Sequence, residues 1–263
     1  MLSLPFYQSV LGEIGYTARN NIVRTGSDES ATIDIMSNMQ KNSVKRGARV
    51  RRPVHGPAQA HQVRIIGGQW KRTPLAVVDA DGLRPTPDRV RETVFNWLTH
   101  LLDGGWERVH CLDLFAGSGA LGFEAASRGA ASVVMIESHP AAVRQLQAVQ
   151  EKLQANQVSI VCGDAVATAY NMLKRASVPG DGGGRFQLIF LDPPYHQDWL
   201  AKALPACAGL LAEGGLLYAE AEQPFDNDAL PEWLNGWQVV RADKAGMVYY
   251  HLLQQRNETG FQA

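Results

Sequence analysis

The chain predicts an α/β fold: a doubly wound, mostly parallel sheet of seven strands that ends in an antiparallel C-terminal hairpin. Two observations carry that expectation. Between residues 104 and 255, short apolar runs alternate with amphipathic stretches of helical period. The runs are apolar on both faces, as strands covered by helices on two sides must be. A small basic β-hairpin and a helix precede this sheet as an N-terminal appendage.

The elements follow in order. Residues 1–60 show no sustained period and are rich in Ser, Asn, Gly and Arg, which predicts disorder that turns basic toward its end. Residues 61–103 form the appendage. VRIIGG and WKRTPLAVV read as two short strands joined by a Gly67-Gly68 turn. Residues 87–102 read as a helix with Val90, Val94, Phe95, Trp97, Leu98, Leu101 and Leu102 on its apolar face, Thr86 as N-cap and Pro87 at the first helical position. Residues 104–255 hold the alternation. VHCLDLF, SVVMIE, VSIVCG and FQLIFLD are strands, followed by helices over 120–128, 140–154, 165–175 and 199–211. GLLYAEA is a fifth strand, and GWQVVRADKA with GMVYYHLL closes the sheet as a hairpin.

Composition bounds the function. A chain of 263 residues, 45% apolar and 19% charged, supports one large domain with a full core and is too apolar to be disordered throughout. No stretch approaches the roughly 20 apolar residues of a membrane helix. The opening MLSLPFYQSVLGEIG lacks a basic segment before an apolar run, so a secretory signal is not expected. Cys111, Cys162 and Cys207 are odd in number and far apart, which suits a reducing, cytoplasmic setting, and no Cys/His cluster has metal-ligand spacing. The net charge of −1 hides an asymmetry. Positions 41–91 hold 12 Lys/Arg against 3 Asp/Glu, and the remainder carries the compensating acid. A basic block on an acidic protein suits a polyanionic partner approached from one side.

Two loops carry chemistry. The first follows strand one, from Asp113 through Gly117, Ser118 and Gly119 to Gly122. Glycines there let the backbone turn tightly and approach a ligand at the carboxyl edge of an open sheet. An acid four residues before the first glycine repels a pyrophosphate and suits a cationic ligand, the amino-acid end of S-adenosylmethionine. That favours this cofactor over NAD. Glu137, ending strand two, can accept from both hydroxyls of a ribose. Asp164, beside Ala165 after strand three, can take an adenine amine or cap the next helix. The second loop is Asp192-Pro193-Pro194-Tyr195, after strand four. Two prolines fix a carboxylate, backbone carbonyls and a ring as one rigid unit. Asp192 and the Pro193 carbonyl can accept from an exocyclic amine while Tyr195 stacks on the ring that bears it. Such an amine is a weak nucleophile, so positioning carries most of the catalysis.

These residues, with RIIGGQWKR from Arg64 and LRPTPDRVRETVFNWL from Leu83, resemble the RsmD family of class I methyltransferases, over about residues 63–253. The resemblance implies a Rossmann-like fold and transfer of a methyl group from S-adenosylmethionine to the N2 amine of one guanine in 16S ribosomal RNA. It implies the small ribosomal subunit or its assembly intermediates as partner, a cytoplasmic monomer, and neither membrane nor metal. Phe115 joins the expected cofactor contacts, and Arg64, Lys71, Arg72, Arg84, Arg89 and Arg91 become candidate RNA contacts. The competing readings are a DNA adenine-N6 or protein glutamine-N5 methyltransferase, an NAD-dependent oxidoreductase and a non-catalytic RNA-binding assembly factor.

Overall fold

A computed structural model of the chain describes residues 62–77, 86–177, 185–194 and 198–256. The expected disorder of residues 1–60 lies outside them. The elements run β1 (Gln62–Arg64), β2 (Pro74–Ala76), α1 (Asp88–Leu101), β3 (His110–Asp113), α2 (Ala120–Ser127), β4 (Ser132–Glu137), α3 (Pro140–Leu153) and β5 (Val158–Cys162). They continue with α4 (Ala165–Ala176), β6 (Phe186–Leu191), α5 (Trp199–Leu210), β7 (Leu211–Ala221), β8 (Trp237–Ala245) and β9 (Val248–Gln255).

The seven strands β3–β9 lie in the order β5-β4-β3-β6-β7-β9-β8. The first five are mutually parallel, and β9 is antiparallel to both β7 and β8. Side chains alternate across a strand, so both faces need an apolar cover. Cys111, Val133, Met135, Leu188 and Phe190 pack on one side, with α1, α2, Leu146 of α3 and the β1–β2 hairpin. Leu112, Val134, Ile136, Ile189 and Leu191 pack on the other, against α4 and α5. The chain lays β3, β4 and β5 outward in one direction and β6 and β7 in the other. The reversal between β3 and β6 opens a crevice at the carboxyl edge, where folds of this kind bind ligands.

The hairpin differs from its expected form. Gly67-Gly68 is not a tight turn between two strands. The chain crosses through 65–73, closed by a 2.7 Å bond from the Arg72 N–H to the Ile65 carbonyl. The glycines serve another contact. Gly68 has φ of +72°, and a Cβ there would sit 1.9 Å from the Ser127 carbonyl oxygen at the end of α2. The buried Glu124 carboxylate accepts the Ile66 and Gly67 N–H groups at 2.6 and 2.9 Å and the Arg128 guanidinium at 2.8 Å. The Ser127 hydroxyl accepts from the Trp70 N–H at 2.9 Å and donates to the Gly67 carbonyl at 2.6 Å. The loop is thus clamped along one helix end.

Two further expectations are corrected. Pro87, not Thr86, occupies the cap position of α1, and no side chain caps that helix. Proline has no side-chain acceptor to offer the N–H groups of the first turn, and the Thr86 hydroxyl is held elsewhere. β7 begins at Leu211, not Gly215, because the residues after α5 pair at once with Phe186 before a bulge.

Candidate active site

The glycine turn joins β3 to α2. Gly117 and Gly119 hold φ of +51° and +76°, left-handed values that glycine adopts without strain. Gly122 serves packing: a Cβ there would meet the Met135 Cε at 2.5 Å, and its N–H donates to Asp113 Oδ2 at 3.0 Å. Glu137 reaches across from β4. Its carboxylate accepts the Gly117 N–H at 2.8 Å and the His139 N–H at 2.7 Å, which holds it against the turn. Asp164 caps α4, accepting the Ala167 N–H at 2.8 Å, while Ala165 is buried as the first helical residue. Phe115 is half-buried and faces Trp199 with ring centres 5.9 Å apart. Ser118 is half-buried in the same turn. Cross-strand register pairs Asp113 with Met135 and Glu137 with Cys162, so all these residues share the carboxyl edge.

Asp113 tests the cofactor. Its carboxyl is buried, and Oδ1 has no hydrogen-bond partner among the described residues. Burial, with the Glu137 charge added, pushes it up to about 7. A buried orphan acceptor beside a glycine turn is suited by a cationic donor. The amino-acid end of S-adenosylmethionine carries such a donor. These residues fit that cofactor.

Asp192 directly follows the last residue of β6 and is half-buried. Pro193 is buried and Pro194 exposed. Thr86 Oγ1 lies 3.1 Å from Asp192 Oδ2 and 2.8 Å from Oε1 of Glu220, on β7. The same Oε1 accepts the Tyr218 hydroxyl at 2.7 Å. Burial raises the Asp192 carboxyl well above its ordinary value, and the Glu220 charge raises it further. Burial raises Glu220 too, against the bonds from Tyr218, Thr86 and Asp192. A cleft of about 570 Å³ opens beside the pair, lined by Pro193, Trp199, Glu220, Phe225 and Trp233 among others. His251 holds that wall. Its Nε2 accepts the Phe225 N–H at 3.0 Å, its ring stacks on Phe225 at 4.3 Å, and burial lowers it to about 4.

Residues 63–254 match the family described as Conserved hypothetical protein 95. The chain is 39% identical over 196 residues to the ribosomal RNA small subunit methyltransferase D of Escherichia coli K12, covering 74% of this chain and 90% of that one. It is 34% identical over 205 residues to the protein of the same name from Haemophilus influenzae, covering 76% and 98%.

The chain belongs to the RsmD family.

The solved structure of yhhF from Escherichia coli superposes with a TM-score of 0.59 at 36% identity, covering 74% of this chain and 98% of that one. A methyltransferase from Agrobacterium tumefaciens shares the fold at 15% identity and a TM-score of 0.54. This RsmD-family chain is therefore a methyltransferase with a Rossmann-like sheet, and its cofactor is S-adenosylmethionine.

Among the candidate RNA contacts, Arg64, Lys71, Arg72 and Arg89 are exposed, with Arg64 paired to Asp88 at 2.7 Å. Arg91 is corrected. It is 0% exposed, and its guanidinium donates to the Arg64 carbonyl at 2.9 Å, the Thr86 carbonyl at 3.3 Å and Asp88 at 2.6 Å. With its donors turned inward it holds β1 and the Thr86 segment together and meets no phosphate. Arg84 and Tyr195 lie outside the described residues. Tyr218 and Glu220 escaped the sequence reading, and Thr86 entered it as a helix cap. The available signal was the acid of GLLYAEA, an ionisable residue inside an apolar strand.

Proposed function

We propose that this RsmD-family chain methylates the exocyclic N2 amine of one guanine in 16S ribosomal RNA, in the cytoplasm and as part of small-subunit assembly. The observation that carries the reading is the Asp192-Pro193-Pro194 turn, set at the crevice edge beside a cleft large enough for a base. The ribosomal RNA named for its relatives supports the acceptor class.

S-adenosylmethionine, when bound, would supply an electrophilic methyl group. Asp113, the 117–119 turn, Glu137 and Asp164 would hold it, and Phe115 and Ala165 would shape the edge of its site. Asp192 and the Pro193 carbonyl accept the two amine hydrogens, which aims the nitrogen lone pair at the methyl group. Tyr195 stacks on the base. The base must leave its stack or lie unpaired, at a cost of roughly a few kcal/mol. Arg64, Lys71, Arg72 and Arg89 supply phosphate contacts that give affinity and register rather than base choice.

Transfer of labelled methyl to naked ribosomal RNA and to small-subunit particles tests this, followed by nucleoside analysis. N2-methylguanosine at one site is the expected product. Label only in DNA adenine or in protein overturns the proposed acceptor.

A further inference from the structure

Thr86 presents a counting problem. Its one hydroxyl proton faces two carboxyl oxygens, Glu220 Oε1 at 2.8 Å and Asp192 Oδ2 at 3.1 Å. A hydroxyl donates once and accepts from others. One hydrogen split between two acceptors serves each weakly, so both bonds reach full strength when one of the two acids is itself protonated and donates to Thr86. Among the described residues no Lys or Arg forms an ion pair with either acid. The titratable groups that act on them are Asp113 from β3 and Tyr218 from β7, with Tyr250 from β9 behind Tyr218. Nothing among these supplies a positive charge. A buried and a half-buried carboxyl in such surroundings keep one proton between them.

We propose that Glu220 and Asp192 share a single proton across the Thr86 hydroxyl, and that Glu220 holds it while Asp192 meets the acceptor amine. This rests on the amine-methylating function proposed above. An Asp192 that kept the proton would present an O–H donor to an amine that is itself a donor. Moving the proton to Glu220 leaves Asp192 an anion with lone pairs free for the amine hydrogens. Tyr218, donating to Glu220 Oε1 at 2.7 Å, fixes that carboxyl so the bridge stays in place. During transfer the N–CH₃ bond forms as the S–CH₃ bond breaks. The nitrogen then keeps the electron pair of one N–H bond, and that proton passes to Asp192. Glu220 borders the cleft, so a proton carried through Thr86 reaches solvent there. Asp192 touches the amine, whereas Thr86 and Glu220 act through it as positioning residues.

The test titrates the full chain without RNA, by NMR of carbon-13 carboxyl labels, in the natural sequence and in Glu220→Gln. The natural chain should titrate as a coupled pair. In Glu220→Gln the upper step should vanish and Asp192 should titrate in a single step near the lower one, at least about one pH unit below the step that is lost. An upper step that survives in Glu220→Gln overturns the proposal. In parallel, Thr86→Val should slow single-turnover methyl transfer about tenfold or more without changing the dissociation constant for S-adenosylmethionine, and Thr86→Ser should restore the rate. A Thr86→Val protein as fast as the natural one also overturns it. If the natural chain methylates no RNA, the proposed function fails by itself, and the substrate-free titration still decides the pair.

Discussion

Glu124 and Glu220 are both buried glutamates, at 0% and 5% exposure, yet their surroundings differ in kind. Glu124 meets two backbone N–H groups and a guanidinium. These partners can only donate, so the cluster has one pattern of protons and acts as a peg. Glu220 meets two hydroxyls and, beyond one of them, a second acid. Hydroxyls donate and accept, so protons there can be rearranged without moving heavy atoms. Burial alone does not separate a structural acid from a working one. The donor chemistry of the neighbours does.

The largest expected break in this comparison is on the working side. Asp192→Ala should lower single-turnover methyl transfer at least about a hundredfold while calorimetric binding of S-adenosylmethionine stays nearly intact. Loss of both together would count against its assigned role. On the peg side, Glu124→Ala leaves two half-buried N–H groups and Arg128 without their partner. It should cost about 3 kcal/mol in urea unfolding. Glu220→Gln removes an acid from an acid and should shift stability by less than about 1 kcal/mol. Equal losses from the two substitutions would erase the distinction drawn here.

Asp113 sharpens the comparison through pH. Its folded-state value is raised to about 7, so the ligand-free fold binds a proton that the unfolded chain releases near pH 4. The stability it contributes is complete below about pH 4 and is lost as pH rises through about 7. A cationic ligand wants the ionised form. Affinity for S-adenosylmethionine should therefore rise up to about tenfold per pH unit toward pH 7 and then level off. Asp113→Asn should flatten that profile, and a natural protein with flat affinity would remove Asp113 from the cofactor site. The smallest effect concerns the loop that Glu124 clamps. Neutralising Arg64, Lys71 and Arg72 should weaken RNA binding and reduce its salt slope by about 3. An unchanged slope takes the hairpin out of the interface.

The sheet was legible because its signals are local. Apolar runs fell within a residue or two of β3–β6, and the glycine turn and the Asp192-Pro193-Pro194 loop sit where strands end. The Thr86–Glu220 bridge was not legible, since it joins positions 134 apart in sequence and exists only once α1 packs beside β7. Thr86 read as a cap because threonine before proline at a helix start is a common capping pattern. Arg91 read as a surface cation on charge alone. Its spacing to Phe95 and Leu98 places it on the buried face of α1, a periodic signal outweighed by the charge count.

The buried Arg91 has a consequence for how this protein can be divided. One guanidinium ties together β1, the Thr86 segment and the start of α1. The helix so anchored lays Val90, Val94, Phe95 and Leu98 into the same core as Cys111 and Phe190. A cut near residue 104 looks natural along the chain, but it would strip that core and carry away the hydroxyl that bridges the two acids. Any piece meant to keep the sheet and the Thr86 bridge intact must therefore include the hairpin and α1. The part that looks like an attachment is built into the core.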